Sequence, residues 1–129
     1  MTDALNPEHY RYGAIEVIDI IEQWQLGFHT GNAVKYLLRA GHKQDAAEDL
    51  RKGCWYLQRA LAKNKDMRRN IRETHTMPCS DVVVALKLGP MKAEALQAIF
   101  VGDYRAALGC FRSLADIAEA QEGGLHDKA

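Results

Sequence analysis

Apolar residues recur along this chain at intervals of three and four, the period of a helix that buries one face. Residues 14–24 (AIEVIDIIEQW) place Ala14, Val17, Ile18, Ile21 and Trp24 on one side, with Glu16, Asp19, Glu22 and Gln23 on the other. The IEVID alternation would also suit a short strand, but no partner strand is found. Gly27 is expected to stop this helix and Thr30 to cap a second over 31–40, with Val34, Leu37 and Leu38 inward and Gly41 at its end. Asp45, followed three residues later by Glu48, predicts the start of a third helix running to about residue 64. Its stripe is Ala47, Leu50, Cys54, Leu57 and Leu61, spaced 3, 4, 3, 4.

Beyond Pro78, Ser80 is expected to cap a short helix over 81–88 that Gly89-Pro90 ends. Two Ala-rich helices follow over 91–100 and 103–121, joined at Val101-Gly102, and Gly123-Gly124 is expected to begin a frayed tail. At the other end Asn6-Pro7 disfavours helix, so residues 1–12 read as an extended arm. The predicted fold is all-α: a compact bundle of about five or six helices with an irregular N-terminal arm. Residues 1–64 and 65–129 form two helical regions that pack as a single domain, because each half is small for a core of its own.

The 129 residues include 17 Lys+Arg and 17 Asp+Glu, for zero formal net charge, and each half is itself balanced. Wholesale attachment to a nucleic-acid backbone normally needs a basic surface, so a nucleic-acid partner is not expected. Three widely spaced cysteines without a CxxC pair argue against a disulfide framework or a thiolate zinc site. The first residues carry no apolar run of signal-peptide length, and no window approaches the length of a membrane span, which predicts a cytoplasmic protein with no membrane partner.

The polar positions of the second and third helices exceed what burial needs. Asn32, Lys35 and Arg39 share one face of the second; Asp45, Asp49, Lys52 and Tyr56 share one face of the third. Such a set is either an ion-pair network that fixes helix register or a site for a phosphate-bearing ligand. Tyr36 and Tyr56 can pack or stack on a nucleobase. The basic run Lys63, Lys65, Arg68, Arg69 and Arg72 is a solvated face or a contact for nucleic acid or an acidic partner surface.

Residues 5–62 carry a resemblance. An Asn-Pro-x-His-Tyr arm at 6–10 is followed by Glu-Val-Ile-Asp at 16–19 and by Gly-Asn-x-x-Lys-Tyr-Leu-Leu-Arg-Ala-Gly at 31–41. Glu-Asp-Leu-x-Lys at 48–52 and Trp-Tyr-Leu at 55–57 complete the pattern. It resembles the small domain of a bacteriophage-encoded family named for a nucleotide kinase. The resemblance implies a phage protein acting in the infected bacterial host, nucleotide binding, and phosphoryl transfer between nucleotides. The chain has no GxxxxGK[ST] loop, so another phosphate cradle is needed. Lys35, Arg39 and Lys43 are the candidates for the phosphates, Asp45 and Asp49 for Mg²⁺, and Asn32 with His9 for orienting the ligand.

A reading from a different class is a phage counter-defence protein, of the anti-CRISPR type, that inhibits a host effector by protein–protein binding. Arg68 and Arg69 would then contact the host protein. Zero net charge and Ala-rich stripes also predict a homo-oligomer, most simply a dimer, with Leu108, Phe111 and Ala115 along its seam.

Overall fold

The computed structural model describes residues 15–42, 45–63 and 77–128, with residues 63 and 123–128 in backbone only. Six helices and no strand occur among the described residues: α1 (Val17–Gln23), α2 (Phe28–Arg39), α3 (Ala46–Lys63), α4 (Cys79–Ala85), α5 (Pro90–Phe100) and α6 (Tyr104–Lys128). The all-α expectation holds. None of these helices is long and apolar enough to cross a membrane.

Helix α3 is the centre of the fold. It packs on α2 along one flank and on α6 along the other, while α5 covers α6 and touches α2, and α1 and α4 are edge elements. The sequence pattern explains this arrangement. Ala47, Leu50, Cys54 and Leu57 are buried as the 3, 4 spacing predicts, and Val34 and Leu37 of α2 are fully buried opposite them. One apolar cluster runs from Ile15 to Ala118 and draws on all six helices. Trp24 joins its two ends. The indole N–H donates to the Met77 carbonyl at 2.7 Å, and the ring lies 4.7 Å from that of Phe100.

Helix α3 meets α6 at Gly53, where a Cβ would overlap the Phe111 ring, lying 2.7 Å from its Cδ2. Phe111 and Ala115 are fully buried there and Leu108 nearly so. These three residues therefore form part of the monomer's core, and the expected dimer seam along them is corrected. Their 3, 4 spacing is satisfied inside one chain because α3 offers a glycine to the ring. Outside this contact, Arg51 of α3 reaches Asp116 at 2.9 Å and Glu119 at 2.8 Å on α6.

Several helix ends differ from expectation. Gly27 does not stop α1; it is the extended N-cap of α2, which therefore begins three residues early and takes Thr30 into its buried interior. Helix α1 ends instead at Trp24 and Gln25. The Leu26 N–H donates to the Ile21 carbonyl and the Gln25 N–H to that of Glu22, a Schellman closure with Gln25 left-handed at φ 55°. Lys87 does the same after α4, at φ 55°, and Gly102 after α5, at φ 84°. Pro78, not Ser80, precedes α4. Gly89-Pro90 opens α5 because proline at the first helical position gives up an N–H that has no partner anyway. Helix α6 continues through Gly123-Gly124 to Lys128. On α1, Trp24 is buried and Val17 packs on the core as expected, but Ile20 is buried in place of Ile18, which is half exposed.

Candidate functional site

Packing α2 on α3 through their apolar stripes turns the polar positions of both helices toward one shared outer face. Tyr36 of α2 stacks on Tyr56 of α3, with centroids 6.0 Å apart and planes 15° from parallel. Three cations gather on the Tyr36 ring: Lys35 Nζ at 4.7 Å, Lys52 Nζ at 5.7 Å and the Arg39 guanidinium carbon at 6.0 Å from its centroid. The structure thus brings Lys35 and Arg39 together as expected. It adds Lys52, which the sequence pattern marks only as a residue on the polar face of the third helix.

Two carboxylates answer these three cations among the described residues. Glu48 Oε2 sits 3.2 Å from Lys52 Nζ, and this hydrogen bond and its charge raise the Lys52 ammonium above its ordinary pKa. Arg39 Nε lies 3.5 Å from Oδ2 of Asp49, whose side chain is only 5% exposed. That approach is an ion pair without hydrogen-bond geometry, and Oδ2 accepts no hydrogen bond from the described residues. Asp45 serves the backbone instead. Its Oδ1 accepts the Glu48 N–H at 2.9 Å and caps α3.

The three acidic side chains of this face are therefore a cap and two ion pairs. A Mg²⁺ held by Asp45 and Asp49 would take the oxygens that these contacts leave over, Asp49 Oδ2 among them, and share its remaining positions with ligand phosphates and water. No cluster of three His, Cys, Asp or Glu side chains suited to a metal occurs among the described residues. On α1, the Glu16 N–H donates to Asp19 at 2.8 Å in a capping box.

Next to the cations, Ile21, Leu26, Gly27, Phe28, Gly31, Asn32 and Lys35 line an open cleft of about 240 Å³ between α1 and α2. Asn32 Nδ2 donates to the Phe28 carbonyl one turn back at 2.8 Å. Gly31 forms part of the wall, where a Cβ would come within 3.3 Å of Ile21. Lys35 belongs both to this cleft and to the cation group.

An aromatic fringe surrounds the face. Phe28, 70% exposed, packs edge-on against Tyr56, and Trp55 does the same at 5.0 Å. Arg59 lies 5.3 Å over the half-exposed Trp55 ring.

A family model described as a protein of unknown function, DUF3310, matches residues 5–58. No curated protein and no solved structure matches the chain. The matched stretch contains α1, α2 and most of α3, and so every described residue of the cation face, but none of α4, α5 or α6.

The expected site residues His9 and Lys43, and the expected contacts Arg68 and Arg69, lie outside the described residues. The cleft walls Ile21, Leu26 and Phe28 escape sequence reasoning, because apolar side chains at helical spacing signal core before they signal a pocket. Lys52 carries a usable signal: it follows Glu48 by four and precedes Tyr56 by four on one helical row.

Proposed function

We propose that the α2–α3 face binds a nucleotide through its phosphates. The observation that carries this reading is the convergence of Lys35, Arg39 and Lys52 on the Tyr36 ring. A tyrosine face attracts cations but does not neutralise them. Asp45, Glu48 and Asp49 match the three cations in number, but one is spent on a helix cap and the other two on Arg39 and Lys52, so three like charges stay close together on one ring. A phosphate placed among the three would relieve that repulsion and take charge-assisted hydrogen bonds from each. Phosphoryl transfer, which the resemblance to the phage kinase-named family implies, depends mainly on positioning and charge stabilisation, and these cations would supply both. Mg²⁺ would enter with the nucleotide's own phosphate oxygens.

The test is thermal unfolding with a panel of nucleoside mono- and triphosphates, with and without Mg²⁺. A ligand at 100 times its Kd that binds the native state alone adds about 2.7 kcal/mol to stability, which moves the melting temperature by several degrees. At least one nucleotide should produce that shift, and Lys35→Ala and Lys52→Ala should each remove it. Melting curves unmoved by the whole panel would reject the reading.

Trp55 and Arg59 favour a second reading. Exposed tryptophan and arginine are the residue types that most often dominate protein interfaces. In the phage setting the partner would be a host defence effector, with the α2–α3 region serving as scaffold. Trp55→Ala abolishing inhibition of a purified effector, while Lys35→Ala leaves it intact, would favour this reading over the first.

A further inference from the structure

We infer that the cleft between α1 and α2 is a nucleobase pocket, and that Asn32 reads the polar edge of the base. The inference rests on the nucleotide reading and deepens it. The Tyr36–Tyr56 pair offers aromatic faces for a base, but Tyr36 is already engaged by Tyr56 and by three cations. The neighbouring cleft has no such occupancy among the described residues.

Its chemistry suits a flat heterocycle. Ile21, Leu26 and Phe28 supply apolar walls, and Gly31 contributes none of the bulk a side chain would add. A volume of about 240 Å³ falls below the range of sites that enclose drug-sized ligands and leaves room for one ring system, with the sugar and phosphates outside. Lys35 provides the continuity: it borders the cleft and reaches the cation group, so a ligand seated in one extends into the other.

Asn32 supplies the specific contact. One of its two amide N–H groups donates to the Phe28 carbonyl, and this orients the side chain. Its Oδ1 is an acceptor for an N–H donor on the edge of the base, and the second amide N–H is a donor for a ring nitrogen or carbonyl. A site with a placed polar atom discriminates strongly against ligands that leave the atom unpaired.

The experiment is calorimetric titration of the full chain with AMP, GMP, CMP, UMP and, as the probe without a base, ribose 5-phosphate. At least one nucleotide should bind about tenfold or more tightly than ribose 5-phosphate, the scale of one well-placed contact in a pocket. Asn32→Leu and Gly31→Ala, the latter narrowing the cleft against Ile21, should each bring that nucleotide down to the ribose 5-phosphate level. Circular dichroism verifies that each variant is folded, and Asn32→Leu decides if Gly31→Ala is not. Nucleotides that bind no better than ribose 5-phosphate, or a preference that survives both variants, would overturn the pocket and leave phosphate binding standing. Failure of every phosphate to bind would overturn the nucleotide reading and this one with it.

Discussion

Single residues set the tightest constraints on this molecule. Gly53 lies in mid-helix, where alanine is ordinarily the better residue by about 1 kcal/mol. Here the Phe111 ring occupies the space a Cβ needs, and that ring is fully buried and cannot swing away. Overpacking of this kind costs about 1–3 kcal/mol, so Gly53→Ala should lower the urea midpoint despite the gain in propensity. Cys79 makes a pH-dependent contribution. Burial pushes its thiol from 9.0 up to about 11. The folded protein therefore keeps a proton that the unfolded chain has lost. Its stabilisation is full below pH 9 and is lost as pH rises toward 11, a change of about 1–3 kcal/mol. Cys79→Ala should flatten the alkaline limb of stability measured by urea titration across that window. An unchanged slope would show that other groups set it.

At the scale of the helix, the faces of α2 and α3 were legible in the sequence. So were some ends, such as the Asp45 cap and the Val101-Gly102 turn, while other ends and the face of α1 were not. Leu50, Cys54 and Leu57 are buried as their spacing requires, because a face is a property of one helix alone. Gly27 misleads because glycine serves at either terminus, and only the neighbouring backbone decides which. Gln25 and Lys87 give no terminal signal, since neither residue type favours the left-handed conformation it adopts. That strain can be removed. Lys87 is exposed, so Lys87→Gly should raise stability by up to about 1 kcal/mol, read as a higher melting temperature. The cation face was half legible for a related reason. Lys35 and Arg39 lie on one helical row, whereas Lys52 joins them only once α2 and α3 pack. The ion pair of Arg51 with Asp116 and Glu119 joins residues 65 and 68 positions apart, beyond any local pattern.

The whole molecule is organised so that the C-terminal helices complete a core begun by the stretch that matches the DUF3310 model. That match ends within α3, whose Gly53 flank is covered by α6. Phe111→Glu places a charge at the centre of that contact and should unfold the chain, seen as loss of the cooperative melt. A variant that keeps the cooperative melt would contradict the place of Phe111 in the core. In this arrangement the described cation face is carried by α2 and α3, and α6 stabilises it from behind α3. The most direct measurement of the central claim is an amide ¹H–¹⁵N correlation spectrum recorded during titration with a nucleotide that raises the melting temperature. Phosphate binding among Lys35, Arg39 and Lys52 predicts shifts concentrated at residues 27–39 and 48–56, with α6 undisturbed. Saturable shifts confined to other surfaces, or none at all, would contradict it.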